Sequence, residues 1–229
     1  MRVSVITFPG SNCDRDAQHV FSERGHSARL VWHKDTDLAN PDLVILPGGF
    51  SYGDYLRCGA LTRYSPIVKG VVSFAEKGGM VLGICNGFQI LTETGLLPGA
   101  LMMNKHLQFI CRHQYIRVEN SDSPFTNGLE TGTILDIPIA HKEGNYFIDS
   151  EGLKRLKDKG QILFRYCDHT GALADNPNGA IDDIAGIVNT KRNVLGMMPH
   201  PERAATDSVI SQDGKEIFQA IERFFAANA

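Results

Sequence analysis

Through its first hundred residues the chain alternates short apolar runs with stretches of helical spacing, the rhythm that a parallel sheet with crossover helices requires. Val3 to Phe8 reads as a first strand. Ala17, Val20, Phe21 and Arg24 follow at helical spacing, and Gly25 stops them. Ala28 to Trp32 returns as a strand, and Asp42 to Leu46 is an apolar run that gives way to a loop at Pro47-Gly48-Gly49. Ser65-Pro66 opens a helix, with serine as N-cap and proline at the first helical position. Its apolar face is Ile67, Val68, Val71, Val72 and Ala75, and Gly78-Gly79 ends it. Met80 to Ile84 is the next buried strand, and a helix from Asn86 toward Thr94 follows with no linker.

Beyond Asn104 the pattern loosens. Strand candidates at Phe109 to Val118, Ile134 to Ala140 and Ile162 to Tyr166 stand between Gly, Pro and Asn turns, so strands and long loops are expected as far as Val188. At the end, Asp213 and Glu216 have capping-box spacing ahead of Ile217, Ile221, Phe224 and Phe225, the stripe of an amphipathic closing helix. With 229 residues and neither an internal repeat nor a low-complexity linker, the expectation is one α/β domain over residues 1–229. It would have a mostly parallel central sheet with helices on both faces.

The formal net charge is −3, and Lys and Arg are scattered among Asp and Glu, so nucleic acid and anionic membrane are poor partners for this chain. The opening run, Met1 to Gly10, is too short for a signal sequence or a membrane span, and a cytoplasmic location is expected. Cys13, Cys58, Cys85, Cys111 and Cys167 form an odd set without a C-x-x-C pair, which argues against a disulfide framework and a thiolate zinc site. Cys111 and His113 share a strand face, but two ligands do not make a metal site, and no bound metal is expected.

The sharpest chemical signal is Gly83-Ile84-Cys85-Asn86-Gly87, a nucleophile with glycines two residues before and after it, between an apolar strand and a helix. That is the form of a nucleophile elbow. The crowded turn needs neighbours without side chains, and the helix N-terminus favours thiolate while its first amides, Asn86 N–H foremost, can bind an oxyanion. A lone cysteine would more simply be a buried residue near a turn; the glycine spacing reverses that reading. A cysteine nucleophile also needs a base and a group to orient the base. Met198-Pro199-His200-Pro201-Glu202-Arg203 offers both, because in an extended segment His200 and Glu202 point the same way and Pro201 stiffens the backbone between them. Alone, a His-x-Glu pair is usually surface polarity. A second oxyanion donor must come from a loop at the same sheet edge, and Gly49 in Pro47-Gly48-Gly49-Phe50-Ser51-Tyr52-Gly53-Asp54 is the candidate, against the plainer reading of a turn that needs glycines.

These segments, with Phe8-Pro9-Gly10-Ser11-Asn12-Cys13-Asp14-Arg15-Asp16 and Pro138-Ile139-Ala140-His141, resemble the class I (triad) glutamine amidotransferases nearly end to end. The Gly-Ser-Asn-Cys-Asp and Gly-Phe-Ser-Tyr-Gly-Asp stretches are most similar to the glutaminase subunits of phosphoribosylformylglycinamidine synthases. The resemblance implies a flavodoxin-like fold, Cys85 as nucleophile, His200 as general base and acid, and Glu202 as the orienting carboxylate. It also implies L-glutamine as substrate, with Gly48, Gly49, Asn86, Gln89 and His141 in the oxyanion and substrate-binding set. Gln89 lies one turn beyond Cys85, on the same helix face. His141 is equally well read as a hydrogen-bonded strand-end residue, and Lys142 stands where the family often carries glycine.

The sequence holds no G-x-x-x-x-G-K-[ST] phosphate loop. The resemblance therefore places ATP and magnesium on a large synthetase subunit that converts formylglycinamide ribonucleotide to the amidine in purine biosynthesis, commonly with a small third subunit. It leaves no cofactor for this chain. The rival readings are the glutaminase component of another amidotransferase, a cysteine-elbow hydrolase on the same fold, and an interaction subunit whose triad residues only look catalytic.

Overall fold

The computed structural model describes residues 1–207 and 210–228. The chain forms two compact units: Met1–Leu97 with Asn193–Gly196, and Pro98–Arg192 with the segment that begins at Met197.

In the first unit, strands β1 (Arg2–Thr7), β2 (Ser27–Trp32), β3 (Leu43–Leu46) and β4 (Met80–Ile84) run in the order β2-β1-β3-β4, all paired in parallel. Residues from β11 (Val194–Met197) lie beside β4. Every residue of β3 and β4 is buried, as expected of strands covered on both faces. The helices are α1 (Asp14–Glu23), α2 (Pro66–Glu76) and α3 (Asn86–Glu93), and each falls within a few residues of its expected place. The step from β1 through α1 to β2 moves one way across the sheet, and the step from β3 through α2 to β4 moves the other. Right-handed crossovers therefore put α1 and α2 on opposite faces and make a topological switch point between β1 and β3. The two loops that leave the carboxyl ends of those strands meet there, with Ser11 opposite Gly49 in a single antiparallel bridge.

The second unit is built differently. Strands β6 (Ile110–Val118), β7 (Ile134–His141), β9 (Ile162–Tyr166) and β10 (Ile184–Val188) lie in the order β10-β9-β6-β7, all antiparallel. Strand β5 (Ala100–Met102) pairs with β8 (Asn145–Phe147) in a separate short ribbon. Where strands and long loops were expected there is also a helix, α4 (Ser150–Asp158), whose N-cap Asp149 accepts a 2.6 Å hydrogen bond from Gly152 N–H. The closing helix α5 (Gly214–Ala227) buries Ile217, Phe218, Ala220 and Ile221. Its anticipated capping box does not form, because the Asp213 carboxylate accepts instead from Asp136 N–H of β7 at 2.8 Å. Among the described residues no helix is long and apolar enough to cross a membrane.

Candidate active site

Cys85 lies at the junction of β4 and α3 with φ 49° and ψ −104°, a backbone conformation that a residue with a Cβ rarely adopts. The flanking glycines make it tenable. A Cβ on Gly83 would come within 2.7 Å of the Gly87 carbonyl oxygen, and one on Gly87 would run into the carbonyl oxygen of Leu46. Phe88 and Gln89 N–H both donate to Cys85 C=O, at 3.0 and 3.2 Å, which starts the helix. The amides of Asn86 and Gly87 precede those bonds and sit at the positive end of α3.

The fully buried Asn86 side chain links this helix start to the glycine loop. Its Oδ1 accepts from Ser51 N–H at 3.3 Å, and its Nδ2 donates to Gln89 Oε1 at 2.9 Å. Gly48 C=O accepts from Cys13 N–H at 3.3 Å, and Phe50 N–H donates to Gly10 C=O at 2.9 Å. Gly49 has φ 143°, and a Cβ there would lie 2.8 Å from Asn12 N, so only glycine fits. The Gly49 N–H takes no part in these bonds. Cys85, Asn86, Gln89, Gly48 and Gly49 are thus gathered in one hydrogen-bonded neighbourhood of the first unit.

The second unit holds the other candidates. His200 N–H donates to Pro138 C=O of β7 at 2.8 Å, and Pro201–Ala204 is a 3₁₀ turn closed by Arg203 N–H on His200 C=O. The extended segment expected there is absent, yet the pairing it was meant to give is present: His200 Nδ1 lies 2.6 Å from Glu202 Oε1, with both residues buried. Gly214 at the start of α5 packs on the Pro201 and Ala204 carbonyls and leaves no room for a Cβ, which holds the turn against the helix. A carboxylate accepts only, so Nδ1 carries the proton and Nε2 keeps the lone pair a base needs.

His141 ends β7, as the plainer sequence reading had it, but it is more than a strand-end residue. Its Nδ1 lies 3.1 Å from Asn104 Oδ1, which also accepts from Gly144 N–H at 3.0 Å. Asn104 Nδ2 donates to the carbonyls of Gln108 and His141, which fixes the amide's orientation and makes His141 Nδ1 the protonated nitrogen. His141 Nε2 is then a buried acceptor without a partner among the described residues. Burial, with the charge of His200 second, lowers the His141 pKa to about 3, so the ring is neutral at physiological pH. Asn178 holds the other side of the same turn through Gly144 C=O at 2.8 Å. Asn104 and Asn178 are both fully buried. Neither role is legible in the sequence, since asparagines among glycines and prolines read as turn residues.

Residues 1–227 match the profile of the CobB/CobQ-like glutamine amidotransferase domain, which sets the chain in the glutamine amidotransferase class. Phosphoribosylformylglycinamidine synthase subunit PurQ of Synechococcus elongatus is 56% identical over 222 residues, covering 96% of this chain and 97% of the relative. The PurQ subunit of Sulfurimonas denitrificans is 52% identical over 224 residues, covering 97% of this chain and 100% of the relative. This chain accordingly belongs to the PurQ family of phosphoribosylformylglycinamidine synthase subunits. A chain in the structure of PurLQS from Thermotoga maritima matches with a TM-score of 0.87 and 43% identity over 98% of each chain. A glutamine amidotransferase from the same organism, 17% identical, has a TM-score of 0.57 over 100% of this chain and 85% of the other, a likeness of fold alone.

Proposed function

We propose that this chain is the glutaminase subunit of a phosphoribosylformylglycinamidine synthase, hydrolysing L-glutamine through a thioester on Cys85 and passing ammonia to a synthetase subunit. The observation that carries the reading is the strained Cys85 at the N-terminus of α3, its φ of 49° sustained by Gly83 and Gly87. Strain of this kind has no packing benefit and concentrates where a nucleophile must be presented.

In this reading His200 Nε2 takes the Cys85 thiol proton while Glu202 holds the imidazole at Nδ1, and the thiolate sulfur attacks the γ-carboxamide carbon of glutamine. The carbonyl π electrons move to oxygen, and the amides of Asn86 and Gly49 stabilise that oxyanion. As the intermediate collapses, His200 gives its proton to the departing nitrogen, which leaves as ammonia. Water, deprotonated by His200, then attacks the thioester, and glutamate leaves as the proton returns to sulfur. Gln89 and His141 orient the substrate, with neutral His141 Nε2 accepting from a substrate N–H.

ATP and magnesium belong to the large partner subunit, a small third subunit completes the assembly, and this chain binds no cofactor or metal. The complex works in the cytoplasm. The test is mass spectrometry after exposure to an electrophilic glutamine analogue, with and without candidate synthetases. Labelling confined to Cys85, enhanced by the formylglycinamide ribonucleotide synthetase and lost in Cys85→Ala, is the expected result. Labelling at Cys13 or Cys58, or enhancement by a different synthetase, overturns it.

A further inference from the structure

Three departures from local rules converge behind the glycine loop. Ser65 stands at the N-cap of α2, where its hydroxyl should accept from the first helical amides, and it makes no such bond. An unused serine cap forgoes the stabilisation that such a cap ordinarily brings to a helix start. His33 follows β2 and is buried with Nε2 unpartnered among the described residues. Tyr52, in the loop three residues after Gly49, has φ 55° and ψ 26°, a left-handed conformation disfavoured for a side chain of its size. All three meet at one point: Tyr52 Oη lies 2.9 Å from His33 Nδ1 and 2.9 Å from Ser65 Oγ, and the last two are 3.2 Å apart. The imidazole is also packed by rings, with Trp32 at 4.5 Å and Tyr52 at 5.5 Å between centroids. Local rules broken together, with a shared geometric outcome, mark a place where something other than folding is being served.

The loop itself shows what that is. The Gly49 N–H shares a planar peptide with Gly48 C=O, which one 3.3 Å bond from Cys13 N–H holds, and Gly49 itself has no side chain to fix its torsions, so the aim of the amide also depends on what holds the residues after it. On the near side the loop is tied by backbone, through Phe50 N–H to Gly10 C=O and Tyr52 N–H to Pro9 C=O. The bond from Ser51 N–H to Asn86 is long, at 3.3 Å. Outward, the Tyr52 side chain reaches the buried Ser65 hydroxyl and the His33 imidazole, which ties the loop to the end of β2 and the start of α2.

We propose that Tyr52, His33 and Ser65 form a latch of positioning residues that fixes the aim of the Gly49 amide at the developing oxyanion. The proposal rests on the glutaminase reading, in which Gly49 is an oxyanion donor. Because the oxyanion exists only during reaction, a loosened latch lowers kcat and leaves glutamine binding nearly unchanged.

The test uses the chain assembled with its synthetase subunit. Tyr52→Phe and Ser65→Ala are each expected to lower kcat for glutamate release about tenfold, less than the roughly 10²–10³ lost when such a donor is removed outright. KM should stay within about twofold. The double variant should be no worse than the poorer single, and Ser65→Thr, which keeps the hydroxyl, should restore turnover. Alkylation of Cys85 by iodoacetamide needs no oxyanion donor and should proceed at the wild-type rate in all four. Unchanged kcat in both single variants, or losses that add and are matched by rising KM and slower alkylation, overturns the latch. If the wild-type complex releases no glutamate, the glutaminase reading fails instead. The latch is then judged by a crystal structure of Tyr52→Phe: a turned Gly49 peptide supports it and an unmoved one overturns it.

Discussion

Cys85 keeps a left-handed backbone with a full side chain, at a cost on the order of 1–3 kcal/mol. What sustains it is the fit of its glycines, and that fit is measurable. Gly87→Ala drives a methyl into the Leu46 carbonyl, which cannot move without disturbing β3. Such overpacking should lower unfolding free energy by about 1–3 kcal/mol in a denaturant titration. Gly78→Ala is the control: φ there is 93° but a methyl would meet nothing, so only the backbone term of about 1 kcal/mol remains. His141 makes a second prediction at this scale. Nitrogen-15 NMR should find Nδ1 protonated and Nε2 bare at neutral pH; an Nε2–H ring would contradict the Asn104 geometry. Its pKa, about 3 in the fold against 6.5 ordinarily, means that the unfolded chain takes up a proton the folded chain refuses. The stabilising contribution is therefore complete above pH 6.5 and is lost as pH falls from there toward 3, with a slope of at most about 1.4 kcal/mol per pH unit. His141→Gln should flatten that part of the stability curve.

The elements differ in how plainly the sequence announced them. From β1 through α3 the reading was close, because strands buried on both faces become unbroken apolar runs and their helices end at glycines. The elbow was legible for the same reason: two glycines two residues either side of Cys85 have no ordinary purpose in a helix start. His200 and Glu202 were legible as a pair, though the turn that joins them was not, since Pro201 suits an extended segment and a first 3₁₀ position equally. Strands β10 and β11 are hard to read from the sequence because Gly186 and Gly196 interrupt them. Gly196 is required by the Phe88 ring, which lies where its Cβ would be, a tertiary fact no local pattern carries. Helix α4 leaves no periodic signal because it buries little beyond Gly152 and Leu156, too few positions to set a period. Such a helix leans on its cap. Asp149→Ala should cost about 1 kcal/mol and speed hydrogen exchange through Ser150–Asp158. Unaltered exchange there would show that packing of Leu156 alone suffices.

For the molecule as a whole, the chemistry that these residues support ends at free ammonia, and nothing in the sequence offers a phosphate loop to activate an acceptor. Hydrolysis that ran at full rate without an acceptor would only drain glutamine, so turnover is expected to answer to the synthetase subunit. Loop folding is a poor place for that control, because Gly48, Phe50 and Tyr52 are already tied by backbone bonds and the Tyr52 hydroxyl is already seated. What remains adjustable is the timing of proton transfer to the departing nitrogen. On that argument, adding the synthetase should raise glutamate release by about tenfold or more, equivalent to roughly 1.4 kcal/mol of transition-state stabilisation. The rate of Cys85 alkylation by iodoacetamide, which needs neither an oxyanion donor nor a protonated leaving group, should hardly change. If alkylation accelerates in step with turnover, the partner is exposing or ionising the sulfur. If turnover is the same with and without the partner, the control lies outside this chain altogether.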